Sequence, residues 1–558
     1  MSKSKNKHHK NKLSPQKRAR KRASRRAECH RHFIPSGCML LNAANIYSLY
    51  GKVPEITRLF ASELIQKLLY ENGYEPKEYR KSLWQTMSFF ILSLVFAALA
   101  GRASIAHMYF EYQNVCAMAG VRPASQRTVE RSMEQAESIS AAMEVLTNKF
   151  INVYKKLVDD LDGITIGEAI SQVVKKLGNI DKIRLNDGCE FRIAREVNEG
   201  DCKGTVAAGR KIHASMSLES NSFDLLSIGG ATSNEREAFV ANTESQQGGC
   251  TLDLLDAGYN CDKVKRSIND RGDKFIIKGK NSSNPLVVKI TRYEARADSM
   301  GNYKIVPGGS DVDLTSPTKL KELLKIRKVV PYEVINGIIV GYCYDLLLSD
   351  GFRLILIYNP NNKGFKTSNS ASCWVFLDTS LSDVFDLLAV ASLYRLRWQI
   401  EIMFLSHKSL GAIGSGPDSN RHTGDIFVYA TMIAHLLKLY MAYKSTNDHL
   451  IRTAHKEVFS ESCSESSPTG ERADIMKVSM QKAAAHLGCP VYIWLLCVLN
   501  RADMVTEKTI YQQTEAISEA VASAVCYSRV SADIMASGKS IFATMKVLDQ
   551  CIGHADTG

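Results

Sequence analysis

The chain has 558 residues, 45% hydrophobic and 23% charged, which is enough for several domains with substantial cores. Its 14 Cys form no CxxC pair and the N-terminus is too polar for a signal peptide, so a secreted, disulfide-stapled scaffold is excluded and a cytoplasmic location is expected. Of the net charge of +13, nearly all lies in residues 1–32, which hold 13 Lys and Arg and one Glu.

The first two segments are a basic tail and a helical region. Residues 1–35 are too polar and too charged to bury a core, so they predict a disordered tail that is drawn to the DNA backbone. A solubilising tail is the alternative. Residues 36–175 have a helical pattern throughout. The stretch from Leu83 to Ala100 is long enough to span a membrane, but polar residues interrupt it, and we expect a buried helix instead.

A helix-turn-helix is predicted near the middle of this region. One helix precedes a turn at Gly120, and a second helix begins at Ser125 with polar residues in its first turns. In such a motif Gln126, Arg127 and Arg131 would face a groove of double-stranded DNA. Helical hairpins of this kind also occur without any DNA-binding role.

Residues 176–281 change to the alternating pattern of strands, in the element order βββαβαβ. Asp187 and Asp256 each end an apolar strand, where the sheet would hold a carboxylate rigidly. Asp162, also followed by Gly, is the rival for the first position, but it follows a helical run and lacks a preceding strand. For each Asp the alternative role is that of a turn-capping residue beside Gly.

The 145 residues from Asp256 to Glu401 contain a second set of strands. Residues 282–365 predict a β-rich insertion, and residues 366–448 predict a last strand followed by helices. A polar linker is expected at 449–470. Residues 449–558 as a whole form a C-terminal region of mainly amphipathic helices.

One helix, predicted from Tyr394 to Lys408, carries an unusual polar stripe. At about 100° per residue, Tyr394, Arg397, Glu401 and Lys408 share one narrow face, while apolar residues cover the others. A carboxylate on such a face can bind a divalent cation, and the neighbouring Arg, Lys and Tyr can bind phosphate oxygens. A salt-bridged helix surface without a function is the alternative.

The spacing Tyr-x2-Arg-x3-Glu-x6-Lys resembles the YREK signature of bacterial insertion-sequence transposases of the DDE class, the group of insertion-sequence family four. The resemblance implies an α/β (mixed) fold with an RNase H-like catalytic core, in which Glu401 joins Asp187 and Asp256 as a metal-binding catalytic triad. Asp256 lies in an Asp-x-Gly-Tyr segment similar to the second motif of that family. Asp187 departs from the pattern, because Cys189 stands where relatives usually have Thr.

The resemblance also implies further roles. Three clustered carboxylates call for two Mg²⁺ ions, with Mn²⁺ as a substitute. Residues that would contact DNA are Tyr394, Arg397, Lys408, Lys278, Lys280 and Trp374, the last by stacking on a flipped base unless it is a buried strand residue. The implied activity is cut-and-paste transposition by a homodimer, without a membrane. A host-adopted DNA nuclease and a non-catalytic DNA-binding derivative are the alternatives.

Overall fold

The computed structural model describes residues 53–75, 82–101, 105–192, 209–243, 249–280, 282–297, 303–307, 311–335, 338–358, 374–410, 421–460, 475–476, 478–499, 521–522, 544 and 548. The predicted basic tail, residues 1–35, lies outside these ranges, as does much of the C-terminal region. Within them the chain is a mixed α/β protein, as predicted.

The N-terminal part is helical, as the sequence predicted. Its helices are α1 (Pro54–Leu59), α2 (Ser62–Glu71), α3 (Ser82–Leu99), α4 (Ile105–Met118), α5 (Gln126–Ser132), α6 (Ala136–Asp159) and α7 (Ile166–Gly178). Helix α3 is buried as expected, and the hydroxyl of its buried Ser93 donates to the carbonyl of Phe90, 2.6 Å away, so this polar group keeps a partner inside the core. Helix α5 begins where predicted, with Ser125 as its N-cap.

In the described part of the chain, a sheet of twelve strands forms the centre of the molecule. Its first five strands are β2 (Lys182–Arg192), β3 (Gly209–Ser217), β4 (Ser222–Gly230), β5 (Thr251–Leu255) and β6 (Lys274–Lys278), with helices α8 (Glu235–Thr243) and α9 (Asp262–Asp270) between them. The short strand β1 (Ile164–Thr165) lies outside this sheet and precedes α7. The order along the sheet is β4-β3-β2-β5-β6, with β2, β5 and β6 parallel and β3 antiparallel to both of its neighbours. The predicted βββαβαβ order is therefore confirmed.

One strand boundary was predicted wrongly. The sequence placed the end of the first core strand at Asp187 and Gly188, but β2 runs on to Arg192. The reason is that residues 188–192 pair with residues 209–213 of β3, an antiparallel partner that the local alternation could not reveal. Asp187 therefore lies inside a strand, at the level where its other neighbour, β5, ends.

The predicted β-rich insertion continues the same sheet. Its elements are β7 (Leu286–Ala297), β8 (Tyr303–Pro307), β9 (Val312–Lys319), α10 (Leu320–Lys325), β10 (Tyr332–Ile335), β11 (Ile338–Leu348) and β12 (Arg353–Tyr358), followed by β13 (Trp374–Thr379). Beyond β6 the order is β13-β12-β11-β7-β8. Residues 332–335 and 338–341 pair with each other as a hairpin.

The predicted helix from Tyr394 to Lys408 is in fact two helices, α11 (Leu387–Arg395) and α12 (Trp398–Leu410). Between them the amides of Leu396, Arg397 and Gln399 each donate to the carbonyl three residues earlier, which tightens the chain into a turn. Leu396 and Ile400 remain buried across this turn, so the apolar pattern that suggested one helix is satisfied by two. Arg397 lies in the turn itself.

The remaining elements cover the sheet and the N-terminal helices. They are α13 (Arg421–Ser460), β14 (Ile475–Met476), α14 (Met480–His486) and α15 (Gly488–Leu499), with β14 parallel to β1. Helix α13 extends to Ser460, so the first part of the predicted linker at 449–470 is helical. The segment His422–Ile451 is long and apolar enough to cross a membrane, and its apolar window is entirely buried inside the protein.

A buried ion pair joins the two strands that carry the candidate aspartates. The guanidinium of Arg184 on β2 binds Asp253 on β5 through two hydrogen bonds, from Nε (2.6 Å) and Nη2 (2.7 Å), and both side chains are at most 1% exposed. Asn186 also donates to Asp253, at 2.8 Å. Because charges that are buried must be paired, this contact requires the two strands to keep their register.

We expect Arg184→Met to lower the free energy of unfolding by about 3–5 kcal/mol, because the fully buried carboxylate of Asp253 loses its closest partner. The double variant Arg184→Met, Asp253→Leu should recover much of that loss, since it removes both charges. Chemical denaturation monitored by circular dichroism measures both values. If Arg184→Met were as stable as the wild type, the prediction would be contradicted.

Candidate active site

Asp187 and Asp256 lie side by side on neighbouring parallel strands. The last pair in the register of β2 with β5 is Asn186 with Leu255. Asp187 and Asp256 are the residues that follow this pair in the two segments. Asp256 is the first residue after β5 and precedes a single 3₁₀ turn at Ala257–Tyr259. The sheet thus brings together two carboxylates that lie 69 positions apart in the sequence.

Arg397 connects Glu401 to this pair of strands. Its Nη1 lies 3.3 Å from Oδ2 of Asp187, and its Nη2 donates to Oε1 of Glu401. The Arg397 side chain is 12% exposed, against 22% for Asp187 and 32% for Glu401. The turn between α11 and α12 therefore directs one guanidinium to carboxylates from two different elements.

The three carboxylates are close enough to affect one another. The pKa of Asp187 is raised to about 6, chiefly by burial; Arg397 and the amide of Gly188 oppose the rise, and the charges of Glu401 and Asp256 add to it. The Gly188 amide donates to Oδ1 of Asp187 at 2.8 Å. The ionised form of Asp187 is thus disfavoured even with Arg397 as its partner.

Tyr394 lies against the same guanidinium. The Cζ atom of Arg397 is 5.9 Å from the centre of the Tyr394 ring. Burial raises the pKa of Tyr394, and so do the charges of Asp256 and Asp187. Burial acts to lower the pKa of Arg397, but Tyr394, Glu401 and Asp187 together hold it above its usual value. Arg397 is therefore charged, and Tyr394 is protonated and able to donate.

Three buried polar atoms at this site have no hydrogen-bond partner, namely Oδ1 of Asp256, the hydroxyl of Tyr394 and Nε of Arg397. The cation nearest to Asp256 is Lys278, whose Nζ lies 3.8 Å from Oδ1. Unsatisfied buried groups cost stability, so their concentration at one place marks a site for a ligand. Asp256 accepts hydrogen bonds or binds cations, whereas Tyr394 and Arg397 offer donors.

The residues suit a divalent cation chemically, although a guanidinium now lies among them. Carboxylate oxygens are the ligands that Mg²⁺ and Mn²⁺ prefer, and Asp256 has a buried oxygen without a partner. Across the described part of the chain, no group of three or more His, Cys, Asp and Glu side chains is arranged to hold a metal ion. Arg397 forms ion pairs with both Asp187 and Glu401, so a positive group now compensates these two carboxylates.

Lys408 lies beside the same strand. It is exposed on α12 and reaches the thiol of Cys189, whose pKa is raised by burial and lowered by the Lys408 charge. Cys189 is two residues beyond Asp187 on β2. Tyr394, Arg397 and Glu401 thus lie around Asp187, whereas Lys408 contacts Cys189 two residues farther along the same strand.

The other predicted DNA contacts divide into two groups. Lys278 and Lys280 lie on the edge next to Asp256, where Lys280 donates to the carbonyl of Asn260 at 3.1 Å. Trp374 is 2% exposed and packs edge-on against Tyr344 and Phe376. In this arrangement Trp374 is a buried strand residue, and its ring is not exposed for stacking on a base.

The rival aspartate and the predicted helix-turn-helix lie elsewhere. Asp162 is exposed in the bend before β1, which belongs to a separate two-stranded sheet, so the structure does not bring it to Glu401. The side chains predicted to face DNA on α5 are exposed, with Gln126 donating to Glu130. These are Gln126, Arg127 and Arg131.

Glu235 is a residue of this site that the sequence did not reveal. It begins α8 and pairs with Lys211 of β3. A Cβ atom at Gly188 would lie 2.8 Å from one of its carboxylate oxygens, and a Cβ at Gly258 would lie 3.0 Å from the other. The two glycines beside the aspartates therefore leave space for a fourth carboxylate, that of Glu235. This contact joins segments that are distant in the sequence, so no local pattern indicated it.

We expect Asp187→Asn to raise the melting temperature of the metal-free protein by roughly 2–4 °C in neutral buffer, because burial opposes the ionised form. The pKa of Asp187 in the folded protein is above that of an unfolded aspartate. The higher melting temperature of Asp187→Asn is therefore fully present above pH 6 and is lost as the pH falls from about 6 to about 4. Thermal melts at several pH values in a chelating buffer measure it. The control is Asp313→Asn, at an exposed position, and its melting temperature should match that of the wild type. A melting temperature of Asp187→Asn equal to that of the wild type at neutral pH would refute the prediction.

No protein-family model and no curated protein matches this sequence at a significant level. The site is a cluster of carboxylates at one end of a parallel strand pair, and it is bordered by Arg397, Lys278, Lys280 and Lys408.

Proposed function

We propose that this protein is a DDE transposase that cleaves DNA strands at terminal inverted repeats and transfers them to target DNA, using an RNase H-like catalytic core. The observation that carries the proposal is the meeting of Asp187, Asp256 and Glu401 beside a guanidinium. These are the three carboxylates that the YREK resemblance named from sequence motifs lying far apart. A salt-bridged helix surface would not need two aspartates from the adjacent sheet.

The strand order supports the core assignment. Three antiparallel strands, a helix and two further parallel strands separated by a helix are the arrangement expected for an RNase H-like domain. The insertion then occupies the interval between β6 and β13, before the helix that carries Glu401. This order of elements supports the proposed core and the proposed roles of Asp187, Asp256 and Glu401 within it.

Each residue has a defined task in the proposed reaction. Asp187, Asp256 and Glu401 would hold two Mg²⁺, or Mn²⁺ in their place. When bound, these ions activate the attacking oxygen and stabilise the leaving oxygen of an in-line displacement at phosphorus. Lys408 and Arg397 supply positive charge to the phosphate, and Tyr394 donates a hydrogen bond. Lys278 and Lys280, on the neighbouring edge, bind the DNA backbone.

The proposed partners follow from the same chemistry. Double-stranded DNA is bound at the basic edge beside the carboxylates, with the exposed polar face of α5 as a second contact. Two copies of the chain would act together as a homodimer, one at each end of the element, in the bacterial cytoplasm. The basic tail would add a salt-dependent attraction to the DNA backbone.

We expect Asp187→Asn, Asp256→Asn and Glu401→Gln each to reduce metal-dependent DNA cleavage by orders of magnitude while DNA affinity changes by only a few fold. The reason is that each carboxylate serves the reaction centre and not the DNA backbone. The substrate is a supercoiled plasmid that carries the DNA flanking the coding sequence. Nicking with Mg²⁺ or Mn²⁺ and gel-shift affinity are measured on the same preparations.

The matched control is Asp162→Asn, which removes a similar carboxylate from outside the sheet. It should cleave like the wild type. Cleavage that survives in Asp187→Asn but not in Asp162→Asn would reverse the assignment of the first aspartate. A wild-type protein that binds the plasmid without cutting it would favour the non-catalytic derivative.

A further inference from the structure

The position of Arg397 does not match a residue that only binds phosphate. Its two Nη atoms are directed to Asp187 and Glu401, and it is the only ion-pair partner of either carboxylate among the described residues. A group that serves as a phosphate clamp would instead leave these donors free for the substrate. Arg397 has a second task, which the polar stripe in the sequence did not indicate.

That task is electrostatic. Burial disfavours the negative charge of Asp187, and the nearby charges of Glu401 and Asp256 disfavour it further. The guanidinium offsets part of this repulsion, because it adds one positive charge between two of the carboxylates. A divalent cation bound to the same oxygens would provide the same compensation more strongly, and it would repel the guanidinium.

Two buried donors without partners lie at and beside the guanidinium. The Nε atom of Arg397 and the hydroxyl of Tyr394 are buried without hydrogen-bond partners, and the guanidinium lies 5.9 Å from the Tyr394 ring. Two unpaired donors on adjacent side chains suit an acceptor that has several oxygens, as a phosphate does. Arg397 lies in the turn that connects α11 and α12 and belongs to neither helix. The Arg397 side chain can therefore rotate without disrupting a helix.

We propose that Arg397 is the internal counter-cation of the metal-free site and that it moves from Asp187 and Glu401 to the DNA phosphate when a divalent cation binds. Metal binding and phosphate binding are then coupled through one side chain, and each strengthens the other. The guanidinium and the divalent cation compete for the carboxylates in the absence of DNA. This inference rests on the proposed function, because it concerns the same carboxylates.

The test is Mn²⁺ affinity without DNA, measured by titration calorimetry in mildly alkaline buffer on the full chain. Arg397→Met should bind Mn²⁺ about 5-fold more tightly than the wild type or better, in the range of ordinary coupling between sites, because a competitor is gone. Arg397→Lys should fall between the two, since a Lys point charge does not bridge two carboxylates as a planar guanidinium does. The exposed Lys263→Met removes one positive charge from α9 and should bind Mn²⁺ like the wild type.

A second measurement examines the coupling. We expect a short duplex from the flanking DNA to tighten binding of Ca²⁺, which also takes oxygen ligands, in the wild type. We expect no such tightening in Arg397→Met. Circular dichroism melts confirm that each variant is folded before titration.

The possible failures are distinct. Equal or weaker Mn²⁺ binding by folded Arg397→Met overturns the inference and leaves the proposed function intact. Absence of Mn²⁺ binding in both the wild type and Arg397→Met overturns the inference and the proposed function together. Loss of Mn²⁺ binding in Asp187→Asn but not in Lys263→Met would show that the measured ion occupies the carboxylate site.

Discussion

The buried ion pair of Arg184 with Asp253 is the interaction on which the candidate site depends. It connects β2 to β5 three residues before each candidate aspartate, inside a core from which water is excluded. A shift of register by one residue would turn Arg184 to the opposite face and leave Asp253 unpaired, at a cost of several kcal/mol. The same pairing sets Asp187 beside Asp256, so the positions of the carboxylates follow from a requirement of the core.

The polar network around this pair extends the constraint to the neighbouring elements. Asn186 donates to Asp253 and accepts from the hydroxyl of Ser215 on β3, while Arg271 pairs with Asp273 beside β6. Asn186, Asp253, Ser215 and Asp273 are buried and Arg271 is mostly buried, so these groups need their partners and the arrangement is costly to deform. Rigid strands are a suitable support for carboxylates that repel one another, because the sheet resists their separation.

The continuous sheet explains how Glu401 reaches the aspartates across a long insertion. Strands β7 to β12 extend the sheet beyond β13, and β13 returns the chain to β6, beside the core strands. Helices α11 and α12 then cross to β2, where Arg397 and Lys408 meet the level of Asp187 and Cys189. The interval between the second and third carboxylates therefore adds strands to one side of the sheet without moving the site.

The sequence alone determined the local elements and the identity of the polar residues. Alternating apolar residues predicted the βββαβαβ order, the apolar stretch near residue 90 predicted a buried helix, and the spacing from Tyr394 to Lys408 selected the residues that now surround Asp187. Only the tertiary structure decided what depends on contacts between distant segments. The pairing with β3 extended β2 past Asp187, the turn at Arg397 divided one predicted helix into two, and packing buried Trp374 and brought Glu235 to the glycines beside the aspartates. The physical reason is that hydrophobic periodicity indicates only which face of a helix or strand is buried. Strand register, turns and ion pairs depend on partners from distant parts of the sequence, which a local pattern cannot identify.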